Sequence, residues 1–124
     1  MTTATSIVNA GAMSEFLRAF EVRSKLMGQV YQCRFSHMWN AISTRHADTI
    51  DCKFFVEGRS TVVGLAHTAF VAFLEKHKRD LSDREAAYIA AQYLSERLEQ
   101  EEERALYDVS HSEVLALIEK LAIR

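Results

Sequence analysis

The chain has 124 residues, 48% hydrophobic and 26% charged, with a formal net charge of −2. These are the proportions of one ordinary globular domain. A charge so near zero gives no general attraction to nucleic acid, whose binding depends on neutralising phosphates. Residues 61–124 hold 8 Lys/Arg against 12 Asp/Glu, and residues 1–60 hold 7 against 5. The acidic second half therefore argues against a face for DNA or an anionic membrane.

Two cysteines, Cys33 and Cys52, are too few for a disulfide framework, and no secretory signal precedes them. The longest uncharged run in the middle of the chain, residues 60–74, is too short and too polar to span a bilayer. Together these lead to the expectation of a cytoplasmic protein with reduced thiols.

Residues 1–13 read as a flexible N-terminal tail, and residues 14–124 as a single helical domain. From Ser14 onward, Leu17, Phe20, Met27, Tyr31, Phe35, Met38 and Ile42 recur at steps of three, four or seven. That is the helical period, and it predicts one long helix or two collinear ones, bent at Gly28. Tyr31, Cys33 and Phe35 also alternate, which is a strand pattern, but the longer helical pattern runs through them.

Ile50, Cys52, Phe54 and Val56 alternate with Asp51, Lys53, Phe55 and Glu57, the period of a half-buried strand. One short strand near residues 52–56, or an extended loop, is expected there and ends at Gly58. No partner strand is evident within the chain. Ser60 is then a candidate N-cap for a helix over residues 61–78, apolar nearly all round and so expected to sit centrally.

Ser82-Asp83-Arg84-Glu85 fits the Ser-x-x-Glu capping box and opens a helix expected to run to about Tyr107. Its Ala86, Ala87, Ala90 and Ala91 allow close approach of another backbone. Glu99-Gln100-Glu101-Glu102-Glu103 reads as a highly solvated turn. A second capping box, Ser110-His111-Ser112-Glu113, carries a hydrophobic staple of Val109 and Val114 and opens the terminal helix. The expected fold is all-α, four to five helices in a small orthogonal or bundle-like domain.

Candidate chemistry is thin. Cys33 and His37 are four apart and would share one face of a helix, but zinc needs three or four ligands and no second pair is visible. No nucleophile elbow, phosphate loop or cofactor cradle is present. Lys76, His77, Lys78 and Arg79 form the one basic cluster, and they close a helix, where cations complement its dipole. No catalytic residue, cofactor or metal is assigned.

The apolar terminal helix is harder to account for. Val114, Leu117, Ile118 and Leu121 form one stripe, while Leu115 and Ala122 lie around the other side, so covering both needs a second surface. The stripe is the candidate partner-binding element, since large apolar patches mark protein contacts. Phe54, Phe55 and Trp39 are further interface anchors.

In size, in its proline-free helical pattern and in the segment Ser112-Glu113-Val114-Leu115-Ala116-Leu117-Ile118-Glu119-Lys120, the chain resembles the QslA-like small helical anti-activators of bacterial LuxR-type quorum-sensing receptors. That resemblance implies a homodimer covering the dimerisation surface of the receptor's ligand-binding domain. It would keep the transcription factor off DNA without touching DNA, with Ile118 the chief contact. Two alternatives stand beside it: an antitoxin- or phage-type inhibitor of another protein, and a small metal-binding or enzymatic domain.

Overall fold

The computed structural model describes residues 17–124 and shows a mixed α/β fold built on a five-stranded sheet. The all-α expectation is thereby overturned, and with it the helical fold that the resemblance implied. The residue 1–13 tail and the helix start at Ser14 lie outside the described residues.

Strands β1 (Phe20–Arg23), β2 (Val30–Asn40), β3 (Thr49–Val56) and β4 (Arg59–Ala66) form an antiparallel meander. A four-residue helix α1 (Ile42–Arg45) sits between β2 and β3. After β4 come helices α2 (His67–His77) and α3 (Asp83–Glu99). Strand β5 (Leu106–Val109) then pairs parallel to β4, and α4 (His111–Lys120) follows. No helix among the described residues is long and apolar enough to cross a membrane.

The expected helix through Tyr31, Phe35, Met38 and Ile42 is mostly strand, and its geometry explains the misreading. Tyr31 and Cys33 face the core, and Phe35 and Met38 pack against it. Between Phe35 and His37 the register with β3 shifts at a β-bulge. The extra residue, Ser36, turns a step of two into a step of three, so an interrupted strand imitates the helical period. Gly28 at φ 72° is not a helix bend but part of the turn before β2.

The strand expected near residues 52–56 is real but longer, and it has partners on both sides. Glu57 and Gly58, at φ 51° and 77°, make the tight turn into β4, since two left-handed residues suit the twist of a hairpin. Ser60 is no N-cap: it lies in β4 opposite Phe55. Thr61, Val62 and Val63 are good strand residues, and helix begins only at His67.

Both capping boxes are formed, with Glu85 N–H donating to Ser82 Oγ at 3.1 Å and Glu113 N–H to Ser110 Oγ at 3.3 Å. The central helix is α3 rather than α2: Ala86, Ala87, Ile89, Ala90, Ala91, Leu94 and Leu98 are all buried. They pack with Cys52, Phe54, Val63 and Leu65 from the inner face of the sheet. The chain expected to be helix up to Tyr107 leaves α3 at Glu99 and re-enters the sheet as β5.

Candidate docking site on the projecting half of β2

Strand β2 is 11 residues long, but β1 pairs only with Val30, Tyr31, Gln32 and Cys33. From residue 34 to 40 its one side is bonded to β3. Among the described residues no strand pairs with its other side. An edge of this kind presents unmet backbone donors and acceptors that template another extended chain.

Beneath that edge lies a groove of about 520 Å³, lined by Leu17, Phe35, Met38 and Ala87 with Arg18, Ser36, His37, Asp83 and Arg84. Its floor is held by aromatic packing, since the Phe35 ring meets the buried Phe54 ring edge-on at 5.5 Å. Its far wall is the first turn of α3. Arg79 fixes that turn by donating from Nη1 and Nη2 to the two carboxylate oxygens of Glu85, each at 2.9 Å. The same carboxylate accepts from the Ser82 N–H at 2.9 Å. Arg79, and then the hydrogen bond from Ser82, hold the Glu85 carboxyl below its ordinary range, against the opposing effect of burial.

The outer face of β2 carries different chemistry. The His37 and Trp39 rings lie 5.0 Å apart, and Trp39 Nε1 donates to Thr44 Oγ1 at 3.1 Å. Across the register, Phe55 takes the Arg34 guanidinium at 4.3 Å and the Lys53 ammonium at 5.0 Å from its ring centre. Arg34, His37 and Ser60 are exposed, and Lys53, Phe55, Trp39 and Val62 are half-buried. Aromatic rings with arginine beside them are the chemistry of interface anchors.

The upper end of this face is locked. Asp51, Gly64 and Asp108 stand in register across β3, β4 and β5. Arg45, the last residue of α1, reaches back over them. Its Nε donates to Asp51 Oδ2 at 2.8 Å, and its Nη2 donates to Asp51 Oδ1 and Asp108 Oδ1 at 2.9 Å each. Thr49 Oγ1 donates to Asp51 Oδ1 at 2.8 Å, completing the shell of a carboxylate only 1% exposed. The Arg45 charge is thus fully engaged. Arg34 and Lys53 supply positive charge lower on the face.

The terminal-helix stripe sits elsewhere. Val114, Leu117 and Ile118 are 0%, 6% and 5% exposed in the hydrophobic core, and Leu121 packs against it. Those four side chains are engaged within the chain itself. Cys33 and His37 do not meet on one face: the thiol is buried in the core, whereas His37 is exposed on the other side of the bulge. Burial, then Glu57, pushes the Cys33 thiol up to about 12, and burial raises Cys52 as well.

Among the described residues two hydroxyl–imidazole pairs occur, Ser36 with His37 at 2.9 Å and Thr68 with His111 at 2.8 Å. Among the described residues neither imidazole is paired with a carboxylate, so neither has the orienting third group that activates a nucleophile. What the β2 region offers is binding: main-chain groups along an edge, an apolar trough and flanking cations. In the sequence Trp39 and Phe55 stand out as aromatic anchors, whereas the edge shows only in the alternation of Tyr31, Cys33 and Phe35.

Comparison with protein-family models, curated proteins and solved structures finds no match to this chain.

Proposed function

We propose that the chain is a non-enzymatic protein-binding regulator that sequesters its partner by taking up an extended segment along β2. The observation that carries this reading is the edge at residues 34–40, which no strand among the described residues pairs and which lies over the apolar groove. In strand addition, backbone hydrogen bonds supply affinity and pockets for alternate side chains supply specificity. A segment that pairs with β2 would place every second side chain over Phe35 and Met38. Its acidic residues would meet Arg18, Arg84, Arg34 and Lys53.

The ligand-binding domain of a LuxR-type receptor is the partner that the sequence resemblance names, and it is the first to be tried. The helical architecture no longer supports that choice, and the terminal helix is not the docking element in this reading. An antitoxin- or phage-type inhibitor would use the same edge on a different target. The protein acts in the cytoplasm, without direct nucleic-acid or membrane contact, and a homodimer belongs to the same proposal.

The test uses the full chain as bait in lysate of its native host. Three variants accompany it: Ser36→Pro, which blocks pairing at the bulge where proline is tolerated; Arg84→Glu in the groove wall; and Val71→Glu on the exposed face of α2. Wild type and Val71→Glu should recover the same protein. Ser36→Pro and Arg84→Glu should lose it at an unchanged melting temperature. Retention by both β2-side variants would contradict the reading.

A further inference from the structure

A second groove, of about 550 Å³, lies between α2 and α4, away from the β2 edge. Its floor is Phe73 and Ile118, 2% and 5% exposed, with Ala72 and Leu115 on its walls. The floor is rigid. The Phe73 ring has the His77 imidazole at 4.4 Å and the Arg79 guanidinium at 5.0 Å.

The rim is cationic. Lys76 lies in the last turn of α2 and Arg124 follows α4, and both line the groove. Among the described residues no carboxylate lies within ion-pair distance of Lys76, whereas Lys25 and Lys120 both have one. Glu119 is the one side-chain carboxylate among the described lining residues, against the side chains of Lys76 and Arg124, and the Arg124 main-chain oxygen is taken up by Arg79. The volume is in the range of small-molecule sites, which combine apolar walls with a few placed polar groups.

We propose that the groove between α2 and α4 binds an amphipathic carboxylate. Its apolar chain lies on Phe73, Ile118 and Leu115, and its head group pairs with Lys76 and Arg124. The Lys76 ammonium, with no carboxylate partner among the described residues, selects an anion, and the apolar floor selects a chain rather than a small inorganic ion. This site is independent of the β2 edge and stands or falls by itself.

The test is titration calorimetry of the full chain with decanoate, decanol and decyltrimethylammonium, each below its micelle concentration. Decanoate should bind saturably at one site, about tenfold more tightly than decanol, and the ammonium should not bind. Lys76→Gln keeps a good helix former and should remove the preference for decanoate over decanol. Ala72→Trp should fill the groove and abolish both; Ala72→Met gives the same readout if the tryptophan lowers the melting temperature. Failure of decanoate to saturate, equal binding of decanol, or an unchanged preference in Lys76→Gln would overturn the proposal.

Discussion

Gly64 lies directly beneath Arg45: a Cβ at position 64 would stand 2.5 Å from the guanidinium Nη2 and 2.7 Å from Asp51 Oδ1. The absence of a side chain there is what lets one arginine span three strands. Gly64→Ala is expected to cost about 1–3 kcal/mol, since inserting a methyl into a filled site forces its neighbours apart. Arg45→Met should cost more, about 3–5 kcal/mol, because it strands a buried carboxylate. Adding Asp51→Asn to Arg45→Met should restore part of that loss. Denaturant titration of the three variants checks the order.

Ile118→Asp separates a core role from a contact role for α4. Ile118 is 5% exposed within the core, so a carboxylate there has no partner and stability should fall by several kcal/mol. The folded fraction should keep its affinity for the partner. Unchanged melting temperature with lost affinity would return the docking surface to the terminal helix.

The two thiols should be inert in the native protein. Burial pushes the Cys33 thiol up from its ordinary 9.0 to about 12 and raises Cys52 too. At pH 8 neither forms the thiolate that reacts. Alkylation should therefore be negligible in the folded chain and complete in denaturant. Because the folded values lie above the unfolded one, the stability contributed is full below pH 9.0 and is lost as pH rises towards 12.

The Arg79–Glu85 pair predicts an acid limb. The folded-state value of Glu85 lies below its ordinary 4.5. Its contribution is therefore present above pH 4.5 and is lost as pH falls through the lower folded value. Arg79 is 40% exposed, so the effect is screened and amounts to less than about 1 kcal/mol. Arg79→Gln should lower stability at neutral pH by that amount, leave it unchanged once Glu85 is protonated in both states, and so flatten the fall between the two. Thermal melts across that range check it.

The sequence made some elements plain and hid others for identifiable reasons. The capping boxes at Ser82 and Ser110 were legible because their chemistry is local, and the alternation of Cys52, Phe54 and Val56 was legible because one face of β3 is covered. Strand β4 was not, since Val63, Gly64 and Leu65 are buried in succession. Arg45 covers the one that should have faced water, and a strand enclosed on both faces loses its alternation. Strand β5 is four residues long and reads as the tail of α3. Of the docking site, Trp39 and Phe55 were visible as aromatic anchors. The open edge was not, because the bulge at Ser36 disguised β2 as helix.

Amide hydrogen exchange along β2 in the isolated chain tests the open edge most directly. Residues 34–40 should show slow amides bonded to β3 interspersed with fast ones on the outer side, while β3, paired on both sides, is slow throughout. Addition of the captured partner should slow the fast set and leave β5 unchanged. Uniform slow exchange over residues 34–40 without a partner would mean that the edge is already covered, and would contradict the account.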